Sequence, residues 1–379
     1  MVGSNPDVVI VGGGVIGLTI ARALALRGVK NVIVIERAML GKEATTAAAG
    51  ILAPQAEADG PDDFFSLACR SRDMYPDFAN NLHEETEIDV ELDRTGTIYV
   101  ALSQADDHEL ERRYKWQSRA GLEVQKLSGD ETHLFEPCIS EAATLALRFP
   151  KDIQVENRRL VAALIESNQR LGVGLWIGRS VNRITIDGDK ISGLQTSRGP
   201  VSTPVVVLAA GAWTSSIRTT GRALPNIGVV PVRGQMICLK SNSPITRHVI
   251  YSSRGYIVPR MDGRLLVGST SEPVGFDKRV TASGIQRILK NAIEISPNVS
   301  DLHVADSWAG LRPKAADGLP VLGPCAEING LFYATGHYRN GILLAPITGE
   351  LLSEAIVSRT SSPLIEAFTP NRFDVVPTI

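Results

Sequence analysis

The sequence predicts an α/β chain in which a mainly parallel sheet is interrupted by an inserted α+β domain built on an antiparallel sheet. Three observations predict it. An apolar run near the N-terminus opens into spaced glycines and then a helix-like stretch. The same alternation of strand-like and helix-like segments resumes after residue 156. Residues 86–102 and 228–275 instead alternate apolar and polar with period two, as antiparallel strands with one covered face do.

The first element is "DVVIVGGGVIGLTIARALALRGVKNVIVIER", residues 7–37. Val8 to Val11 read as a strand buried on both faces. Gly12, Gly14 and Gly17 follow in GxGxxG spacing, and Leu18 to Leu26 read as a helix closed by Gly28. "NVIVIE" reads as a second buried strand ending in Glu36. Gly12 permits the tight turn, Gly14 lets backbone approach a pyrophosphate, and Gly17 lets helix pack closely on strand. The helix N-terminus offers free N–H groups to phosphate. Glu36, 19 residues after Gly17, stands where a carboxylate accepts ribose hydroxyls and disfavours a 2′-phosphate. The unit reads as a Rossmann-type dinucleotide site.

The fingerprint alone leaves NAD and FAD open. No second GxGxxG follows. Arg37 is succeeded by "GKEATTAAAGILAP" (41–54), small residues with hydroxyls at Thr45 and Thr46, which can lie along a cofactor that continues past its pyrophosphate. Both features favour FAD.

In the middle of the chain, a helix is expected from Arg158 to Leu171, then short strands with turns at "DGDK" and "SRGP". "TPVVVLAAGAWT" reads as a further buried strand of the first sheet, ending in a glycine turn at Gly211. "ELDRTGTIYVAL", "VVPVRGQMICLK" and "GYIVPRMDGRLLVGST" are the alternating strands, with a hairpin at "MDGR" and helices at 104–121 and 281–295. A second domain inserted in two pieces makes the crevice between domains the expected substrate site. Toward the C-terminus, "ATGHYRNGILLAPITGELL" places Arg339 before an apolar helix beginning near Ala345, with Pro346 in its first turn.

Composition excludes several classes. A net charge of −2 without a basic run argues against nucleic acid and anionic membrane as partners. The longest apolar stretches, such as "VVVLAAGAW", are too short to span a bilayer, and no basic segment precedes the first apolar run. Cys69, Cys138, Cys238 and Cys325 are scattered, so reduced thiols in the cytoplasm and no metal site are expected.

The motifs GGGVIG–Glu36, "AAAGILAP", "YIVPR…GRLLVGST", "WAGLRP" and "GHYRNGILLAP" together resemble the D-amino-acid oxidase superfamily of FAD-dependent amine oxidases, and within it the bacterial glycine oxidases. The resemblance runs from about residue 7 to 359. It implies noncovalent FAD, a small amine and O2 as substrates, imine and peroxide as products, a place in thiamine (thiazole) synthesis, and a homotetramer. By the same resemblance Arg312 clamps the substrate carboxylate, Tyr256 hydrogen-bonds it, and Arg339 lies beside flavin and substrate. Ile51 and Ser271 stand where the relatives often carry methionine near the substrate. Val181 is expected to contact adenine. The expected cofactor wall is Gly12, Gly14, Val15, Ile16, Gly17, Glu36, Arg37, Thr45, Thr46, Ala49, Gly50, Ile51, Val181, Gly211, His337, Tyr338, Arg339, Asn340, Gly341, Ile342 and Leu343. The backbone N–H groups of 340–343 are expected to face the flavin. A flavin link through Cys325 lacks support.

The fold class is thus a Rossmann-type FAD-binding domain (1–85, 147–222, 303–364) with an inserted α+β substrate domain (86–146, 223–302) and a C-terminal tail (365–379). Two other readings of the motifs are a D-amino-acid dehydrogenase passing electrons to a quinone and a non-catalytic flavoprotein partner.

Overall fold

The computed structural model describes residues 5–220, 224–241 and 243–373. Its central sheet has six strands in the order Val321–Pro324, Leu331–Thr335, Val206–Leu208, Val8–Val11, Val32–Glu36, Gly174–Ile177. Five are parallel, and Val321–Pro324 closes one edge antiparallel. Strands this apolar need cover on both faces. On one face the helices Val15–Leu26, Asn157–Arg170 and Ala345–Ser358 supply it through Leu18, Leu24, Leu160, Leu164, Ile347 and Leu351. On the other face Val9, Val11 and Leu208 pack on Ile184 and Leu194 of a four-stranded sheet spanning residues 181–219. The first helix starts at Val15, ahead of the expected Leu18, and Gly28 ends it with φ +83°.

The second domain is an eight-stranded sheet in the order His303–Lys314, Val230–Lys240, Arg264–Gly268, Gly255–Pro259, Val249–Ser252, Thr97–Ala101, Leu145–Phe149, Gln125–Ser128. All neighbours are antiparallel except Val249–Ser252 and Thr97–Ala101. One face is sealed by the helix Ala282–Ile295 through Ile288, Ala292 and Ile295. The opposite face carries Met236, Tyr251 and Tyr256.

Two expectations are corrected. His303–Lys314, placed by sequence in the nucleotide-binding domain, is the edge strand of the eight-stranded sheet and pairs along Val230–Lys240. Leu145–Phe149 belongs to that sheet as a whole, so no domain boundary falls at 146/147. Neither segment lies within the stretches that patterning marks as antiparallel strands, which explains both errors. Within the C-terminal tail, residues 365–373 are packed down, with Ile365 and Phe368 buried against the helical layer. The boundary at 222/223, residues 1–4 and residues 374–379 lie outside the described residues. The patterning also fails to mark the longest helix, Asp63–Thr86, which is capped by Asp62 and carries Pro76 in its interior.

Candidate active site

A cavity of about 750 Å³ runs from the glycine turn after the first strand to the open face of the eight-stranded sheet. The turn is built by exclusion. Gly12 has φ +114°, and a Cβ there would overlap the Ala209 carbonyl. A Cβ at Gly17 would overlap the carbonyl of Gly12 and touch Ile10. A Cβ at Gly14 would meet only the Thr45 hydroxyl at 3.3 Å, so Gly14 opens to the cavity. Glu36 is buried at the end of its strand and accepts from the backbone N–H groups of Gly13 (2.8 Å) and Ala38 (2.9 Å). Its carboxylate is thereby held on the cavity wall with lone pairs to spare for hydroxyls. Arg37 lies over the Trp213 ring at 3.6 Å and pairs with Glu43. Val181 lines the same end with Arg183.

The segment after Arg37 is clamped against the second domain. Ala49 accepts from Arg260 (2.6 Å), Ala47 accepts from the Trp308 indole (3.0 Å), and Gly50 turns with φ +71° beside the Val155 carbonyl. Ala49, Gly50 and Ile51 therefore line the cavity, and Thr45 does so while accepting from Val15 N–H at 3.1 Å.

The far end is made by the eight-stranded sheet and the loop before the last helix. Arg312 donates to the Thr270 carbonyl (2.9 Å) and the Ser269 hydroxyl (2.7 Å), and Gly234 leaves room for its guanidinium. No carboxylate pairs with Arg312 among the described residues. Tyr256 donates to the Met236 sulfur at 3.3 Å. Arg339 faces Glu57 at 3.4 Å, whose negative charge raises the guanidinium pKa and keeps it charged. Tyr338, with φ +47°, is fixed by its N–H to the Pro313 carbonyl (2.9 Å).

Of the expected wall, Gly12, Gly14, Val15, Ile16, Glu36, Arg37, Thr45, Ala49, Gly50, Ile51, Val181, Gly211 and the run His337–Ile342 line the cavity, as do Arg312 and Tyr256. Four residues do not. Gly17 serves helix–strand packing, and Thr46 does not line the cavity although Thr45 and Ala47 on either side of it do. Leu343 turns into the core, where its carbonyl accepts from Ser71 at 2.6 Å. Ser271 is off the wall, with its hydroxyl 3.3 Å from that of Tyr338 in an exposed position. Its strand ends at Gly268, beyond which alternation no longer fixes a side chain's direction. The N–H of Asn340 is taken by the His337 carbonyl (2.8 Å), so the set expected at 340–343 is smaller by one.

Sequence reasoning missed Glu57, Tyr251, Met236 and Trp213 on the wall. One was within reach: Tyr251 stands directly opposite Tyr256 across the hairpin. Cys325 is buried beneath the central sheet, where burial pushes its thiol up to about 12.

His337 is buried, its ring 3.1 Å from the Thr348 hydroxyl, and burial lowers its pKa to about 3. It is therefore neutral at neutral pH. In the unfolded chain an ordinary histidine protonates near pH 6.5, so stability is lost as pH falls from about 6.5 toward 3. Denaturant unfolding between pH 7.5 and 4.5 is expected to show that loss, and His337→Gln to flatten it. An unchanged slope in the variant would refute the assignment.

An open glycine turn at a helix N-terminus, a carboxylate at the next strand end, and a long small-residue wall leading to a cation without a carboxylate partner among the described residues fit a flavin dinucleotide. Comparison with known proteins agrees. The family model for FAD dependent oxidoreductases (DAO) matches residues 7–355. The chain is 37% identical over 370 residues to the glycine oxidase of Geobacillus kaustophilus (strain HTA426), covering 97% of each. A crystal structure of glycine oxidase from Geobacillus kaustophilus superposes with a TM-score of 0.92 at 36% identity, over 98% of this chain and 100% of that one. The bifunctional protein ThiO/ThiG of Trichormus variabilis (strain ATCC 29413 / PCC 7937) is 35% identical over 97% of this chain and 55% of its own length. The chain belongs to the DAO family of FAD-dependent oxidoreductases.

Proposed function

We propose that the protein oxidises glycine and related small amines, among them sarcosine and small D-amino acids, using noncovalent FAD and O2. The amine loses two electrons and two protons to become an imine, O2 takes them up as hydrogen peroxide, and water converts the imine to 2-oxo acid and ammonia, or methylamine where the substrate is sarcosine. The observation that carries this reading is Arg312, a cation with no carboxylate partner among the described residues, beside Tyr256 on the cavity wall.

Arg312 and Tyr256 bind and orient the substrate carboxylate. A planar guanidinium already held by Thr270 and Ser269 presents its remaining N–H groups as a fixed fork. The walls Tyr251, Tyr256 and Met236 exclude water from the same end. Gly12, Gly14 and Glu36 hold the dinucleotide, and FAD when bound supplies the hydride acceptor. The chain's own contribution is orientation and fixed charge. Likeness to a protein named ThiO/ThiG supports a place for the product imine in thiazole formation for thiamine. We place the enzyme in the cytoplasm as a homotetramer; among the described residues no helix is long and apolar enough to cross a membrane.

The purified protein should be yellow, and acid precipitation should release its flavin. Glycine should bleach it anaerobically, and air should restore the colour with peroxide release. Reoxidation that requires a quinone would make it a dehydrogenase. A flavin that no small amine reduces would make it a non-catalytic partner.

A further inference from the structure

We infer that Glu57 sets the enzyme's specificity against substrates carrying a second negative charge. It neutralises Arg339 and leaves Arg312 as the uncompensated cation at the substrate end of the cavity. The inference rests on the amino-acid oxidase reading above and adds a selection rule to it.

Three acids line the cavity. Glu36 and Glu43 stand at the glycine-turn end, with Gly13 and Arg37. Glu57 alone stands at the other end, where one oxygen accepts from the Tyr251 hydroxyl at 2.7 Å and faces Arg339 at 3.4 Å. Tyr251 packs on Tyr256 with ring centroids 5.6 Å apart, and Tyr256 bonds Met236. Glu57, Tyr251, Tyr256 and Met236 thus form one connected run of the cavity wall that Arg312 also lines. Two cations there would suit a dianion; one compensated and one free cation suit a single carboxylate.

Glu57 is also held in place. It ends the short helix Pro54–Glu57, whose Gln55 and Ala56 N–H groups donate to Asp152 at 3.3 and 2.9 Å. Asp152 is buried and paired with Arg72, and Arg113 donates to the Ala56 carbonyl. The Gln55 side chain is fully buried and bonded to Gln117. The backbone that carries this carboxylate is thereby fixed, and one of its oxygens is tethered by Tyr251 and Arg339. A second substrate carboxylate that reaches this stretch of wall meets the like charge of Glu57, and Arg339, paired with Glu57, does not offset it.

The test compares holoenzymes of the parent, Glu57→Gln and Glu57→Asp on glycine and on iminodiacetate, which is glycine bearing a second carboxymethyl group on nitrogen. Gln keeps an acceptor for Tyr251 but drops the charge; Asp keeps the charge. The ratio of kcat/KM for iminodiacetate over glycine is expected to rise about tenfold or more in Glu57→Gln, where like-charge repulsion is removed and Arg339 freed. Glu57→Asp should keep the parent's ratio. A ratio in Glu57→Gln within about twofold of the parent overturns the inference. A second measurement does not depend on turnover or on the variant folding. Acetate and malonate are titrated against the flavin absorbance of the parent at low ionic strength, and acetate should bind more tightly. Malonate binding as tightly as acetate overturns the inference. A parent whose flavin glycine fails to reduce overturns the functional reading instead, and the acetate–malonate comparison still decides the role of Glu57.

Discussion

Arg312→Ala is expected to fold, hold its FAD and lose on the order of 10²–10⁴ in kcat/KM for glycine. Glycine has few atoms to grip, so its carboxylate must supply most of the orientation. The Arg312 guanidinium is held by Thr270 and Ser269 over Gly234, with no carboxylate of the protein's own among the described residues to satisfy it. Each charge-assisted hydrogen bond contributes roughly 1.5–3 kcal/mol, so losing a parallel pair costs about 3–5 kcal/mol. Much of the loss should fall on KM, because the carboxylate is held in ground and transition states alike. Lysine cannot restore the fork, so Arg312→Lys should recover little. An amine without a carboxylate should be turned over poorly by both proteins and should barely register the change. If Arg312→Ala oxidises glycine to within about threefold of the parent, Arg339 becomes the leading carboxylate ligand.

The glycine turn should separate folding from cofactor binding when its members are replaced one at a time. Gly12→Ala places a methyl group into the Ala209 carbonyl at a φ of +114°, which a side chain rarely adopts. Gly17→Ala drives a methyl into the Gly12 carbonyl. Both obstacles are backbone at the join of strand and helix, so neither can move aside without opening the sheet. We expect each to cost about 3 kcal/mol or more, with soluble yield or Tm falling together with flavin content. Gly14→Ala differs: its methyl meets only the Thr45 hydroxyl, from a backbone conformation open to any residue. That variant should keep the fold, with Tm of the apoprotein within a few degrees of the parent's. Its FAD affinity should fall about tenfold or more, because the methyl occupies the path by which backbone approaches a pyrophosphate. The measurement is thermal unfolding of apoproteins beside FAD titration by fluorescence. Equal FAD affinity for Gly14→Ala and the parent would move the pyrophosphate away from this turn.

The sequence by itself determined the features whose causes are local. GxGxxG followed by a helix and an acid at the next strand end is legible because each residue's reason lies within about 30 positions of chain. The last helix was legible for the same reason: Pro346 in its first turn marks its start near Ala345. Period-two alternation announced the strands within 86–102 and 228–275. The wall at His337–Ile342 followed from a contiguous motif. What only the tertiary structure decided are pairings between distant segments. His303–Lys314 looks equally at home in either sheet until its ladder with Val230–Lys240 is formed. Ser271 and Leu343 sit in promising stretches, yet a strand end and a core-facing turn direct them off the wall. Glu57 is an unremarked acid in sequence. It acquires meaning when folding brings it to Tyr251, 194 residues away, and Arg339, 282 residues away. Spacing carries information only over the few turns or strands that a local hydrogen-bonding pattern spans. The charge balance of the cavity is set by contacts far longer than that.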